Sequence, residues 1–386
     1  MKNPIDWNEA IVLTQELVRT DSYALEGKRK LLQFLKTYIC AASGVSAQLY
    51  DMETDAPYMV AKLPCTTGEP EFKLLLQGHL DTVSSEGMEN PFTPDIQDGK
   101  LWGRGSADMK SGCAAVARVF IECAGLERRR GDIYLAYSTD EEYDAAEMVK
   151  ALELGHLPKC DLAVIAEPSS DQLFAAHKGN AWVQVDFFGK SAHASAPENG
   201  VNAIYMANAF VSELTEYLKT AYVDQMDPLC GRPVMNLGVI QGGSKPNVVP
   251  PHCTIQIDKR YLPGDTIQTF LDEMEMIISR CKERDPQFKA EVSTIVDCTP
   301  LCFPTESPLF QKVKDIIDST RETPIEVSFM PGWGEGGFIQ NFGIPTFYLG
   351  PGMMEAAHAP DESVAVEQIV SAARAIYAIA SGLCGE

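Results

Sequence analysis

A histidine and an aspartate two residues apart close the segment KLLLQGHLD, residues 73–81. Leu74, Leu75 and Leu76 form a continuous apolar run, which fits a strand buried on both faces of a sheet with helices on either side. In an open α/β sheet, functional groups collect beyond the carboxyl ends of the strands, and His79 and Asp81 stand at such an end. With Leu80 continuing the strand, the two polar side chains point to one side. One imidazole and one carboxylate aimed into a crevice suit a metal ligand with its orienting partner, or a catalytic His–Asp pair. A strand-end histidine that merely bonds a carbonyl is the plainer alternative.

Three further stretches place acids at comparable points. GRGSADMKSG, residues 103–112, is a glycine-rich loop feeding the helical run 113–126. Its spacing differs from GxxxxGK[ST], and Asp108 puts negative charge where a phosphate would sit, so the loop suits a cation instead. Standing alone, Asp108 would read as a helix cap. An alternating strand at 132–138 runs into Thr139, Asp140, Glu141 and Glu142. Consecutive acids repel one another. On a surface turn they are unremarkable, whereas beside a metal one carboxylate can bind the cation while its neighbour handles a proton. A short apolar strand at 161–166 is terminated by Glu167 and Pro168, the third strand end to carry an acid.

The elements that must position these groups follow from periodicity. Residues 6–19 and 28–42 carry apolar side chains at helical spacing, with Gly44 as a stop. Short strands are expected near 46–51 and 58–63, and Asp98–Gly99 is a hairpin turn signal. The middle of the chain changes character. Residues 180–188 alternate as a half-exposed antiparallel strand would, and GKSAHASA, residues 189–196, is a small-residue loop holding His193. A helix at 200–218, strands near 234–241 and 252–262, a helix at 265–283 and a strand near 288–296 give a four-stranded antiparallel layer covered by two helices. The α/β rhythm then resumes, with a helix at 306–320, strands at 325–330 and 345–349, and a long helix at 363–381.

The expected fold is therefore α/β: a doubly wound catalytic domain, residues 1–178 and 294–386, with helices on both faces of a mainly parallel sheet. Residues 179–293 form an inserted α+β lid or dimerisation domain. Two domains also suit 386 residues.

Composition narrows the function classes. A net charge of −22 argues against nucleic acid, because phosphate binding needs clustered Lys and Arg. No apolar stretch reaches the ~18 residues of a membrane span, and the segment MKNPIDWNEA lacks the apolar core of a signal peptide. The 11 cysteines are an odd number without a CxxC pair, which fits mostly buried thiols in a reducing cytosol. A cytoplasmic protein is expected, without membrane or nucleic-acid partners.

Taken together, GHLDTV (78–83), GRGSADMKSG (103–112), TDEE (139–142), AEP (166–168), GKSAHAS (189–195), GGSKPNVVP (242–250) and AHAPDE (357–362) carry a resemblance. In this order the chain resembles the di-zinc amidohydrolase and peptidase family that includes acetylornithine deacetylase, succinyl-diaminopimelate desuccinylase, aminoacylase and glutamate carboxypeptidase. The resemblance implies two Zn²⁺ per subunit, with Co²⁺ or Mn²⁺ as substitutes. His79, Asp108 and Glu167 would hold one ion, and Asp108 would bridge to a second held by Glu142 and His358. Asp81 would orient His79, and Glu141 would be the general base on a zinc-bridging water. It further implies a non-proline cis peptide after Asp108, and an oxyanion contact from His193 of a partner subunit in a homodimer formed through the inserted domain. Asn247 and Arg260 match positions that hold a substrate carboxylate; an ion pair of Arg260 with Asp258 is the structural alternative.

The implied activity is hydrolysis of the amide of an N-acyl amino acid or a related small carboxylate-bearing amide. The alternatives are a di- or tripeptidase or carboxypeptidase of the same fold and, from another class, a non-catalytic metal- or ligand-binding relative. Two departures stand out: Tyr143 where relatives usually have glycine, and Gly334–Glu335–Gly336 where they have Ser or Thr, Asp and a small residue. Gly337 occupies the place of an arginine in the desuccinylase, which argues against succinyl-diaminopimelate. His156, His177 and His252 fit no motif and read as structural or surface groups, and Met109, Cys113 and Cys123 as core.

Overall fold

The computed structural model describes residues 5–143 and 145–385, which divide into two compact units. The first comprises residues up to Ala175, Cys302–Met330 and Gly334 onward; the second is Ala176–Leu301 with Pro331–Trp333. The sequence predicts breaks at 178/179 and 293/294. Strand Ala290–Cys298 pairs along its length with Gly179–Phe188, so the second unit runs on past residue 293.

The first unit is built on a mixed sheet in the strand order Ala47–Tyr50, Tyr58–Leu63, Gly131–Ser138, Phe72–His79, Leu162–Pro168, Thr346–Gly350, Leu173–His177 and Leu301–Cys302. Its centre is parallel, from Gly131–Ser138 through Phe72–His79 and Leu162–Pro168 to Thr346–Gly350, and its flanks are antiparallel. Leu74, Leu75 and Leu76 are fully buried, as their uninterrupted apolar run requires of a central strand.

Helices cover both faces. Gly78 and Tyr137 sit opposite one another in the ladder and face helix Ser111–Ala124: a Cβ at Gly78 would meet Cys113 Sγ at 2.9 Å, and Tyr137 donates its hydroxyl to the Cys113 carbonyl at 2.7 Å. Their neighbours Gln77 and Ser138 point the other way and donate to Glu335, the residue before helix Gly336–Asn341. Helix Ser111–Ala124 is buried almost all round, between the sheet and the outer helices Asn8–Val18 and Val366–Cys384. It lies hard on strand Leu162–Pro168: a Cβ on Gly112 would be 1.9 Å from the Ala166 carbonyl oxygen. That close approach brings the start of this helix, beside Asp108, up to the strand end that carries Glu167.

The second unit holds a four-stranded antiparallel sheet in the order Val234–Gly242, His252–Tyr261, Gly179–Phe188 and Ala290–Cys298. Helices Ala203–Leu218 and Ile267–Arg284 pack on it through a core that includes Val183, Val185, Phe187, Phe210, Ile255, Ile257, Phe270 and Ile277. Asn202 caps the first of these helices by accepting from the N–H groups of Ile204 and Tyr205.

The expected elements recur with shifted ends, and a few appear that periodicity missed. Helices Ala146–Glu153 and Gly336–Asn341 and strand Leu173–His177 are among them. The first helix and the strand are short. The second helix opens on two glycines, whose weak helix propensity hides it. Residues 363–365 belong to a small ladder on Lys100–Trp102 before the last helix, Val366–Cys384, begins. Asp98 and Gly99 both have positive φ, 50° and 76°, as a two-residue hairpin turn demands.

Candidate active site

The site collects at the carboxyl ends of the central strands. His79 is the last residue of its strand, Glu167 lies next to last in the adjoining one, and Glu141 and Glu142 follow strand Gly131–Ser138 by a short turn. Asp108 comes from one irregular turn, Ser106–Lys110, where non-helical φ and ψ at Asp108 and Met109 break the run into the following helix. The Asp108–Met109 peptide is cis, as the resemblance implies. His358 lies in the left-handed region, φ 63°, just after a short turn at Met354–Ala356.

Three carboxylates converge on one imidazole nitrogen. His79 Nε2 is 3.1 Å from Asp108 Oδ1, 3.4 Å from Glu167 Oε1 and 4.0 Å from Glu141 Oε2. Its Nδ1 faces Asp81, 3.4 Å from Oδ1 and 3.2 Å from the backbone carbonyl. The backbone of His79 is held by sulfur: its N–H donates to Met109 Sδ at 3.3 Å, and its carbonyl accepts from Cys113 Sγ at 2.9 Å. On the other side, His358 Nε2 is 3.3 Å from Asp108 Oδ2 and 3.0 Å from Glu142 Oε2. Asp108 therefore turns one oxygen to each imidazole. Asp81 also accepts the Glu142 N–H at 3.1 Å, which ties the two strand ends together.

Electrostatics show what is missing from a purely structural account. His79, Asp81, Glu141 and Glu167 are buried. Burial pushes the Glu141 carboxyl well above its usual range, and the charges of Glu167, Glu142 and Asp108 push the same way. Burial takes Glu167 up to about 7. Asp108 is half-buried, and although burial pushes its carboxyl up, hydrogen bonds from His358 and His79 hold it well below the ordinary carboxylate range. Hydrogen bonds to Asp108 and Glu142 raise His358 to about 10. Among the described residues, the ion pairs of these carboxylates run to His79 and His358. One Nε2 proton cannot satisfy three carboxylates, so the cluster is short of positive charge, and divalent cations would supply it.

The ligand atoms of His79, Asp108 and Glu142 lie within 4.8 Å of one another, and so do those of His79, Glu141 and Glu167. These groups overlap at His79 and cut across the two ligand sets the resemblance implies. The divided oxygens of Asp108 separate the positions: one beside His79 and Glu167, one beside Glu142 and His358. Imidazole nitrogens and carboxylate oxygens are a donor set for zinc, cobalt or manganese.

Of the other expected residues, His193, Asn247 and Arg260 belong to the second unit. His193 is exposed, and its Nδ1 accepts the Ser195 N–H at 3.2 Å. The Ala194 N–H donates to the Asn247 carbonyl at 3.1 Å, so these two loops lie side by side. Arg260 pairs through Nε with Asp258 Oδ1 at 3.1 Å, and Asp258 also accepts the Trp182 indole N–H at 2.6 Å.

His156 bonds Tyr58, His252 pairs with Asp186, and His177 is buried with Nδ1 donating to the Lys178 carbonyl. Met109, Cys113 and Cys123 are fully buried. Two further buried acids brace the site. Glu335 accepts from Gln77 and Ser138 beneath the strand ends, and Glu362 accepts from the loop that carries Asp108. The only sequence signals were the departure at Glu335 and the last letter of AHAPDE.

The fold and the site define a metal-dependent amide and peptide hydrolase with a dinuclear metal-binding site. Residues 75–382 match Peptidase family M20/M25/M40, and the chain belongs to that family. It is 30% identical over 371 residues to acetylornithine deacetylase of Proteus mirabilis (strain HI4320), covering 93% of this chain and 91% of that one. Against acetylornithine deacetylase of Photorhabdus laumondii subsp. laumondii the identity is 30% over 363 residues, covering 92% and 90%. In structure it is similar to aminopeptidase PepT from Bacillus cereus ATCC 10987, with a TM-score of 0.80 at 22% identity over 98% of this chain and 99% of that one. A tripeptidase from Staphylococcus aureus subsp. aureus mu50 gives a TM-score of 0.78, also at 22% identity, over 98% and 99%. At such identity these structures speak for the fold. No helix among the described residues is long and apolar enough to cross a membrane.

Proposed function

We propose that the protein hydrolyses the amide bond of an N-acyl amino acid or a related small amide bearing a free carboxylate, with two zinc ions per subunit. The observation that carries this reading is Asp108, whose two oxygens face two different imidazoles across a cluster of buried acids. His79, Asp108 and Glu167 would hold one ion, and Asp108, Glu142 and His358 the other. The ions, when bound, polarise the scissile carbonyl and make water acidic enough to attack near neutral pH. Asp81 fixes the ring of His79 from the Nδ1 side. Glu141 accepts the proton of the attacking water and delivers it to the leaving amine. Its burial beside other carboxylates supports that role, because it raises proton affinity toward the working pH.

The inserted unit acts as lid and dimer interface. Its edge strand Val234–Gly242 exposes Val234, Val239 and Ile240, an apolar edge that a second copy would cover. His193 supplies an oxyanion donor to the partner's site. Its Nδ1 is engaged by Ser195, with the N–H at 3.2 Å and the hydroxyl at 2.7 Å, which leaves Nε2 as the atom to donate. Arg260 and Asn247 take the substrate carboxylate. The Asp258 contact engages only Nε of Arg260, and a fork of Nη groups suits a carboxylate. The protein works in the cytoplasm.

The similarity to acetylornithine deacetylases favours a deacylase, and the likeness in fold to peptidases keeps a small-peptide substrate as the second reading. A hydrolysis screen decides between them. N-acetyl, N-succinyl and N-formyl amino acids are run beside di- and tripeptides, with added zinc or cobalt. Preferential turnover of N-acyl amino acids is expected; turnover confined to peptides would transfer the assignment to the second reading.

A further inference from the structure

Glu362 is 1% exposed, and its carboxylate is surrounded by donors from a single loop. Oε1 accepts the N–H of Ala107 at 2.9 Å and of Asp108 at 3.0 Å. Oε2 accepts the N–H of Gly105 at 2.9 Å and the Arg104 guanidinium at 2.6 Å. The Glu362 carbonyl takes the Gly103 N–H at 3.2 Å. A carboxylate has about four acceptor positions, and four donors fill them here. These amides need an outside acceptor: Gly105 is left-handed, φ 80°, and the chain is non-helical at Asp108, so no helical partner precedes them.

The same short segment carries His358 four residues earlier. Over the next three residues it is paired to the hairpin that leads into the loop, with Ser363 opposite Trp102, Val364 opposite Leu101 and Ala365 opposite Lys100. Residues 358–365 therefore run alongside 100–108, whose first residues are locked by the strand ladder and whose last by the Glu362 carboxylate. Both Asp108 and His358 depend on this register. His79, Glu142 and Glu167 do not, because they ride on or just beyond strands of the central sheet.

We propose that Glu362 is a positioning residue that sets the backbone of Asp108 relative to His358, so that the metal position made by Asp108, Glu142 and His358 reaches full affinity only with its carboxylate in place. The inference rests on Asp108 and His358 being ligands. The position near His79 and Glu167 has one ligand that depends on Glu362; the position near Glu142 and His358 has two. Losing the carboxylate therefore unbalances the two sites instead of loosening both alike.

The test is stepwise metal binding to the full chain, stripped of metal and titrated with Zn²⁺ against a competing chelator. Wild type takes up two equivalents. In Glu362→Gln the amide turns donors toward donors, and the second equivalent weakens by ~10–100-fold while the first changes less, the usual range for groups that orient ligands. Equal weakening of both steps, or wild-type affinity at both, would overturn the proposal. If wild type itself binds no divalent metal, the ligand assignment fails instead, which separates the two readings. Should the Gln variant not fold, Glu362→Asp withdraws the carboxylate by one methylene and is expected to give the same order of losses. Hydrogen exchange on wild type reads the clamp without mutation: the amides of Gly105, Ala107 and Asp108 should be protected in the metal-free protein. Rapid exchange there would also overturn it.

Discussion

Glu141 and Glu142 are adjacent in sequence but face different imidazoles: Glu141 Oε2 approaches His79 Nε2 to 4.0 Å, while Glu142 Oε2 pairs with His358 Nε2 at 3.0 Å. The two side chains diverge from one turn, so one can hold a metal while the other moves a proton.

Substitution separates these roles. Glu141→Gln keeps shape and removes the proton acceptor; kcat should fall by ~10²–10⁴ with metal content near normal. Glu142→Gln should instead weaken one metal site, and added metal should partly restore turnover. Metal analysis beside steady-state kinetics checks both, and a Glu141→Gln protein that has lost its metal would reverse the assignment.

Metal removal should act on activity and stability together. Exhaustive chelation should abolish turnover, and restored Zn²⁺ or Co²⁺ should bring it back. The thermal midpoint should also drop on stripping, because ligands that bind only the folded state stabilise it and the buried carboxylates are left to repel one another. Full activity after verified removal would sink the two-metal reading.

Subunit mixing tests the proposed reach of His193. Glu141→Gln and His193→Ala should each be nearly inactive, the latter by the ~3 kcal/mol typical of an oxyanion donor. In a mixed dimer, one site regains its own base and its partner's histidine, so activity should return. No recovery after verified exchange would place His193 in its own subunit's chemistry or outside chemistry altogether.

Glu335 should make stability depend on pH. Burial and the nearby Glu147 charge push its carboxyl up from 4.5 to about 8. A folded value above the unfolded one means the contribution is whole below pH 4.5 and is lost as pH climbs toward 8, since the unfolded chain releases the proton first. The slope from one such group is at most ~1.4 kcal/mol per pH unit. Glu335→Gln keeps the acceptor for Ser138 and Gln77 and has no proton to lose. Its thermal midpoint should therefore gain on wild type between pH 5 and 8; a difference that stays flat or shrinks across that range would contradict the buried neutral acid.

Much of the site was legible because its signals are local. The run Leu74–Leu76, closed by Gln77 and Gly78, marks a central strand, and the break that follows marks its end. His79, Asp81, Glu141, Glu142 and Glu167 all sit at or just beyond such breaks, so alternation and turn residues alone brought them into view. The inserted sheet was readable for the same reason: from Ala181 to Phe188 the burial alternates residue by residue.

The tertiary structure decided which groups meet. Nothing local says that Asp108 presents Oδ1 to His79 and Oδ2 to His358, from a strand before it and a segment near the far end of the chain. Nothing local separates Glu362, wrapped by the backbone amides of Gly105, Ala107 and Asp108, from a surface acid before a helix. Gln77 and Ser138 point to the face away from helix Ser111–Ala124, and Glu335 meets them only because helix Gly336–Asn341 packs on that face. Periodicity reports the face a residue occupies within its own element. The partner it finds there depends on how distant elements pack, and that is settled by burial and hydrogen bonding across the whole fold.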